Sequence, residues 1–182
     1  PENMSKENVI AASAAARITK IVINKAHQKS PFPNASGSLN ADNMALALKE
    51  ISGWPGYNPT PLHSLPAVAA ACGVKAVLYK DEATRFNLGS FKALGGSYAV
   101  ASLILAQKAL GINVADITVA TATDGNHGRS VSWGAQLSGC TAKIYIHKHV
   151  SVAREQAMQS FGADVIRVNG NYEASLAACK SD

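Results

Sequence analysis

Lys92 stands in Leu88-Gly89-Ser90-Phe91-Lys92-Ala93-Leu94-Gly95-Gly96, at the start of an otherwise apolar helical stretch and flanked by glycines. A lysine near the positive end of a helix dipole, among apolar neighbours, favours its neutral amine. The neutral amine is the form that adds to a carbonyl carbon, so the position suits Schiff-base chemistry. On spacing alone the same lysine also fits a solvated first turn, because lone lysines at helix starts are common.

A second group is Thr121-Ala122-Thr123-Asp124-Gly125-Asn126-His127-Gly128, between a β-rich run and a helical one. Glycines there let the chain turn so that several N–H groups converge on one spot. Such a nest at a helix N-terminus holds a carboxylate or a phosphate. Helix capping explains Asp124 and Asn126 equally well, since both residue types cap. His127 could act as an acid or base; within this loop it reads as a hydrogen-bonding scaffold residue.

The other polar residues read as structural. His147-Lys148-His149 has H-x-H spacing, but no nearby Cys, Asp or Glu completes a metal site, and a solvated strand terminus is expected. No metal is expected. His27 and His63 are isolated. Serine-hydrolase, P-loop and dinucleotide signatures are all missing. Cys72, Cys140 and Cys179 form no C-x-x-C pair and read as buried free thiols.

The elements that must position these groups follow from periodicity and punctuation. A weak helical signal covers Val9 to Ile23, and Ala41 to Ile51 reads as a short helix. Gly53 to Pro61 is a turn-rich connector, with three prolines and two glycines. Leu65 to Cys72 reads as a helix closed by Gly73, and Lys75 to Lys80 as a β-rich run. Ser90 to Leu110 is helical. Ile117 to Thr123 is a buried strand by its β-branched content, then comes a tight loop at Asp124 to Gly128. A helix at Arg129 to Leu137, a strand at Lys143 to His147, a helix at Val152 to Phe161, a strand at Asp164 to Val168 and a helix from Tyr172 complete the order. This β-α-β-α-β-α alternation predicts a parallel sheet covered by helices, with ligands at the carboxyl ends of the strands.

The 182 residues suffice for one domain or parts of two. Hydrophobic residues make up 47%, charged residues 16% and aromatics 6%, which supplies a core and suits close helix-on-sheet packing. The net charge of +5 is dispersed, with no basic run, so no nucleic-acid partner is expected. Nothing reaches transmembrane length, no membrane partner is expected, and the chain reads as a cytoplasmic protein.

Taken together, the motifs resemble those of the fold-type-II pyridoxal-phosphate enzymes, the tryptophan-synthase-β-like group. The carriers are Lys80-Asp81-Glu82-Ala83-Thr84-Arg85-Phe86, then Ser90-Phe91-Lys92, then Gly125-Asn126-His127 between strand and helix. Tyr57-Asn58-Pro59-Thr60-Pro61-Leu62, Gly162-Ala163-Asp164-Val165-Ile166 and Asn171-Tyr172 add to the likeness. Within the group the pattern is most similar to the diaminopropionate ammonia-lyases. Asp124 is the discriminator, because dehydratases usually carry a small residue there. The resemblance covers about Tyr57 to Cys179.

It implies an α/β fold of type II, with parallel or mixed sheets covered by helices and a two-domain architecture incomplete in this chain. Residues 1–98 would be the N-terminal portion of the large domain that carries the cofactor lysine, and residues 99–182 a truncated small α/β domain. The chain would then be an N-terminal fragment, with the glycine-rich phosphate loop and a second acidic residue beyond Asp182. Pyridoxal 5'-phosphate is the implied cofactor, held by Lys92, with Asn126 at its phenolic oxygen. Thr123, Asp124, Gly125, Asn126 and His127 would bind the substrate carboxylate, and Lys92 and Asp124 would be catalytic. The implied reaction is α,β-elimination of ammonia from 2,3-diaminopropionate, giving pyruvate and ammonia, in a protein that is a homodimer when full length. The alternatives are a threonine/serine dehydratase and a fragment unable to hold cofactor.

Overall fold

The computed structural model describes residues 40–182, so the helical expectation at Val9 to Ile23 lies outside the described residues. Two compact units partition the chain, one including residues 61–81 and the other comprising residues 44–60 and 82–182. Helix α1, Ala41–Ser52, begins in the first and continues into the second.

In the smaller unit, β1 (Leu62–Ser64) pairs antiparallel with β2 (Leu78–Lys80), Leu62 opposite Lys80. The expected strand at Lys75 to Lys80 is thus confined to its last three residues. Between them lies α2, Pro66–Cys72, with proline in its first turn and Gly73 closing it at φ 65°. That left-handed turn is the one glycine adopts without Cβ strain. β1 is not legible in the sequence because three residues, Leu62–Ser64, are too few to show alternation.

The larger unit contains a short 3₁₀ turn at Arg85–Asn87 and then α3, Lys92–Ala109. A second 3₁₀ turn at Val114–Asp116 leads to β3 (Thr118–Ala122), α4 (Asn126–Ser138) and β4 (Thr141–His147). The chain continues through α5 (Val152–Gln159), β5 (Asp164–Val168) and α6 (Tyr172–Ser181). The three strands form a parallel sheet in the order β3-β4-β5, as the alternation predicts. Central β4 buries Ala142, Ile144, Tyr145 and Ile146, consecutive positions as well as alternate ones. A strand buried on both faces reads in this way, and α4 and α6 both pack on it. Val100 and Ile104 of α3, Val131 and Ala135 of α4 and Met158 of α5 complete the core.

The α3–α4 contact is built from small residues. A Cβ at Gly96 would lie 2.6 Å from Ser130 Oγ, and one at Gly134 would lie 2.7 Å from Ser97 Cα. Into that contact go two fully buried hydroxyls. Ser97 N–H donates to Ser130 Oγ at 3.0 Å, Ser97 Oγ donates to Ser130 O at 2.8 Å, and Ser130 Oγ donates to Ala93 O at 3.3 Å. Each such bond contributes about 0.5–1.5 kcal/mol, and losing one partner would leave a buried polar group at greater cost. The helix that begins at Lys92 is therefore fixed in distance and register against the helix that begins at Asn126.

Two expectations need correction. Helix α4 begins at Asn126 rather than Arg129, because Thr123 supplies the cap from three residues upstream. The free cysteines are not uniformly buried: Cys72 is exposed, and Cys140 and Cys179 are half-buried. Among the described residues, no helix is long and apolar enough to cross a membrane.

Candidate active site

The segment that delivers Lys92 is held at three points. Buried Arg85 makes a two-pronged contact with Glu82, Nε to Oε2 at 2.8 Å and Nη2 to Oε1 at 2.9 Å. The same guanidinium donates to Thr60 Oγ1 at 3.0 Å and to Asn58 O at 3.1 Å. A planar guanidinium satisfies such a set; an ammonium does not. Its hydrogen bond to Glu82 raises the Arg85 pKa further, so the cation is permanent. Next, Phe86 and Asn87 adopt φ of 49° and 58°, a region that costs a bulky residue energy. Stacking compensates, since the Phe86 ring centroid lies 4.7 Å from that of Trp133 and 5.8 Å from that of Trp54. Finally, Arg129 of α4 donates to the carbonyls of Leu88 at 3.1 Å and Asn87 at 3.3 Å. Ser90 Oγ then accepts from the Lys92 amide at 3.1 Å, opening α3.

The loop after β3 is shaped from within. Thr123 is buried, and its Oγ1 accepts from the amides of Gly125 and Gly128, both at 3.1 Å. Gly128 can only be glycine here: a Cβ would meet Thr123 Cγ2 at 2.4 Å and Met158 Sδ at 2.6 Å. Asn126 and His127 occupy the first two helical positions, where an amide has no intrahelical acceptor. Those two N–H groups lie at the positive end of α4, a position with the chemistry to hold an anion. Within the Thr123–His127 stretch two amides are already committed, that of Gly125 to Thr123 Oγ1 and that of Thr123 to Tyr145 O.

Lys92, Thr123, Asp124, Gly125, Asn126 and His127 line one cavity of about 470 Å³, joined by Ala122, Arg154 and Tyr172. Capping is ruled out for Asp124 and Asn126: the cap position is Gly125, and neither side chain takes that role. Asp124 instead has its Oδ1 3.1 Å from His147 Nε2. His147 is therefore not a solvated strand terminus; its side chain is only 18% exposed and faces the loop. The scaffold reading of His127 also fails, since its ring makes no hydrogen bond among the described residues. Partial desolvation, followed by the charge of Lys92, lowers its pKa below the ordinary value and keeps the imidazole neutral near pH 7. Lys92 is exposed on the cavity wall, and its neighbours there are polar rather than apolar. Arg154 was not legible as a site residue, because a lone arginine in a helix reads as solvated. It lines the cavity and donates to Asp124 O at 3.1 Å.

The lysine amine, the Asn126 amide side chain and the helix-terminal amides of α4 thus lie around one cavity of a parallel α/β unit. Residues 53–182 match the family described as pyridoxal-phosphate dependent enzyme, and the chain belongs to that family. The diaminopropionate ammonia-lyase of Escherichia coli (strain K12) is 43% identical to it, over 66% of this chain and 33% of that enzyme. Crystal structures of the Escherichia coli enzyme superpose as well. One, in complex with an aminoacrylate-PLP azomethine reaction intermediate, gives a TM-score of 0.74 at 35% identity, covering 87% of this chain and 41% of that one. Another, in complex with D-serine, gives 0.67 at 37% identity, covering 75% and 38%. The chain spans about a third of the length of the curated relatives it matches.

The residues present fit the family's cofactor. Lys92 supplies an amine on the cavity wall, Asn126 a neutral amide beside it, and the terminus of α4 a positive field.

Proposed function

We propose that this chain carries the lysine and carboxylate-binding elements of a diaminopropionate ammonia-lyase, which eliminates ammonia from 2,3-diaminopropionate and yields pyruvate after hydrolysis. The observation that carries the reading is the placement of a carboxylate, that of Asp124, in the lining of the same cavity as Lys92. Pyridoxal phosphate, when bound, would supply the electron sink that acidifies the substrate's Cα–H. Lys92 would hold it through Nζ, with Asn126 alongside. The amides of Asn126 and His127 would hold the substrate carboxylate and so fix which bonds at Cα face which wall. Neutral His127 adds no competing cation–carboxylate pair at that point. For the L-isomer, Lys92 Nζ would take the α-proton; for the D-isomer, Asp124 would take it from the opposite face. Asp124 would also attract the substrate's β-ammonium, as an opposite charge at short range. In the proposed two-domain architecture residues 1–98 belong to the lysine-bearing domain and residues 99–182 to the smaller one.

The test is elimination by the holoenzyme and by its Asp124→Asn variant, assayed as pyruvate release from D- and L-diaminopropionate and from threonine and serine. Asparagine keeps the shape and removes the charge. A general base is worth about 10²–10⁴-fold in rate, so D-isomer turnover should fall by that factor and L-isomer turnover by less. Turnover of threonine or serine in preference to diaminopropionate would overturn the reading. So would a D-isomer rate indifferent to the substitution.

A further inference from the structure

We infer that His147 is a positioning residue for Asp124, holding one carboxylate oxygen so that the other is presented to the Lys92 cavity. This rests on the proposed role of Asp124 as the base for the D-isomer.

The pairing follows from sheet register. Ala122 lies opposite Tyr145 where β3 and β4 run parallel, and the Thr123 amide donates to Tyr145 O at 3.0 Å. Two residues further along each strand, Asp124 and His147 emerge from the same end of the sheet, and Nε2 and Oδ1 come within 3.1 Å. The tautomer is fixed by a second contact. The His149 amide donates to His147 Nδ1 at 3.1 Å, so Nδ1 carries no proton. In the neutral ring the proton is then on Nε2, the atom that lies 3.1 Å from Asp124 Oδ1. The H-x-H spacing is thus a device in which the second histidine's backbone, not its ring, matters.

The contact is asymmetric in a useful way. The Asp124 side chain is 59% exposed and short, whereas that of His147 is 18% exposed. Arg154 secures the backbone of Asp124 at its carbonyl and does not touch the carboxylate. Among the described residues, Oδ2 has no hydrogen-bond partner. Remove His147, and nothing described selects one rotamer of the carboxylate. A base that must meet a particular C–H depends on such selection, since misplacement by about 1 Å is worth on the order of 100-fold.

Two substitutions separate positioning from mere packing. In His147→Leu the donor is lost, and in His147→Gln a side-chain N–H is retained at comparable reach. In the holoenzyme, His147→Leu should lower the ratio of D- to L-isomer turnover about tenfold, a modest fraction of the roughly 100-fold that misplacement by about 1 Å is worth, and His147→Gln should restore it to within about threefold. A readout independent of turnover comes from long-range ¹H–¹⁵N spectra of histidine-labelled holoenzyme. His147 should be in the Nε2–H tautomer, and its Nε2 resonance should move in Asp124→Asn. An Nδ1–H tautomer, or an isomer ratio in soluble His147→Leu equal to that of the parent, overturns the proposal. Should His147→Leu fail to fold, the tautomer and the His147→Gln ratio still decide it, and a ratio in His147→Gln as low as in Asp124→Asn would refute it. If Asp124→Asn itself leaves the D-isomer rate unchanged, the functional reading fails instead, and this inference with it.

Discussion

Gly134→Ala tests whether the α3–α4 contact is what places Lys92. The new Cβ would sit 2.7 Å from Ser97 Cα and 3.2 Å from both Ser97 Cβ and Ser97 O. Carbon–carbon contacts settle at about 3.5–4.0 Å, so the helices must part by about 1 Å. Because the nearest atom is backbone, no rotamer change relieves the overlap. Overpacking of this kind costs about 1–3 kcal/mol. The separation also stretches all three bonds that join Ser97, Ser130 and Ala93. Lys92 is five residues from Ser97 along the same helix, about 7.5 Å at the helical rise, so the displacement reaches the cavity largely undamped. Gly95→Ala is the internal control: it lies in α3, the helix of Lys92 and Ser97, and its Cβ would meet nothing within 4 Å. It should stabilise by about 0.5–1 kcal/mol through the unfolded chain. Thermal melting of the two holoenzyme variants should shift in opposite directions, by about 2–4 °C per kcal/mol for a domain of this size. Turnover should fall only in Gly134→Ala. Equal melting temperatures for the two variants would refute the close-contact argument.

Three further outcomes are expected. Borohydride reduction of the holoenzyme followed by peptide mapping should find the cofactor on Lys92; modification at Lys75 or Lys80 would remove the basis of the site. Arg85→Lys keeps the charge but cannot reach Glu82 twice and Asn58 as well, and each charged bond lost costs about 1.5–3 kcal/mol, which a urea midpoint would register. The folded state holds His127 below its ordinary value, so the unfolded chain binds the proton first as pH falls. Its contribution to stability is complete above the unfolded pKa of about 6.5 and is lost as pH drops from there through the folded value; His127→Gln should flatten that part of the stability–pH curve, and an unchanged slope would count against it.

The parallel β-α-β order was legible because its strands are β-branched runs cut off by glycines, and because Gly73, Gly139 and Gly162 mark left-handed turns that end helices. Lys92 and the Thr123–His127 loop were legible as candidates for the same reason: their neighbours are small, and small residues at strand and helix ends advertise close approach. What the sequence hid was direction. Asn126 and Gly128 have loop-like propensities, so the start of α4 was set three residues late; Thr123 capping from a distance overrides propensity. His147 is not legible as a site residue, because its partner, Asp124, is 23 residues upstream and meets it only through parallel register. The Lys80–Phe86 motif, which carries the family resemblance, serves the site through structure. Its glutamate and arginine are spent on one another, and they fix the backbone on which the lysine's segment is built.

The two tryptophans of the chain, Trp54 and Trp133, are not scattered reporters. They stand edge to face with ring centroids 5.5 Å apart, both nearly buried, with Phe86 between them and the loop that precedes Lys92. Intrinsic fluorescence of this chain is consequently a single-locus signal. Its emission wavelength reads the solvation of that aromatic cluster and nothing else in the described fold. An event that loosens the backbone beneath the lysine and wets this cluster should move the spectrum to the red even where the helices, and with them the far-ultraviolet dichroism, stay as they were.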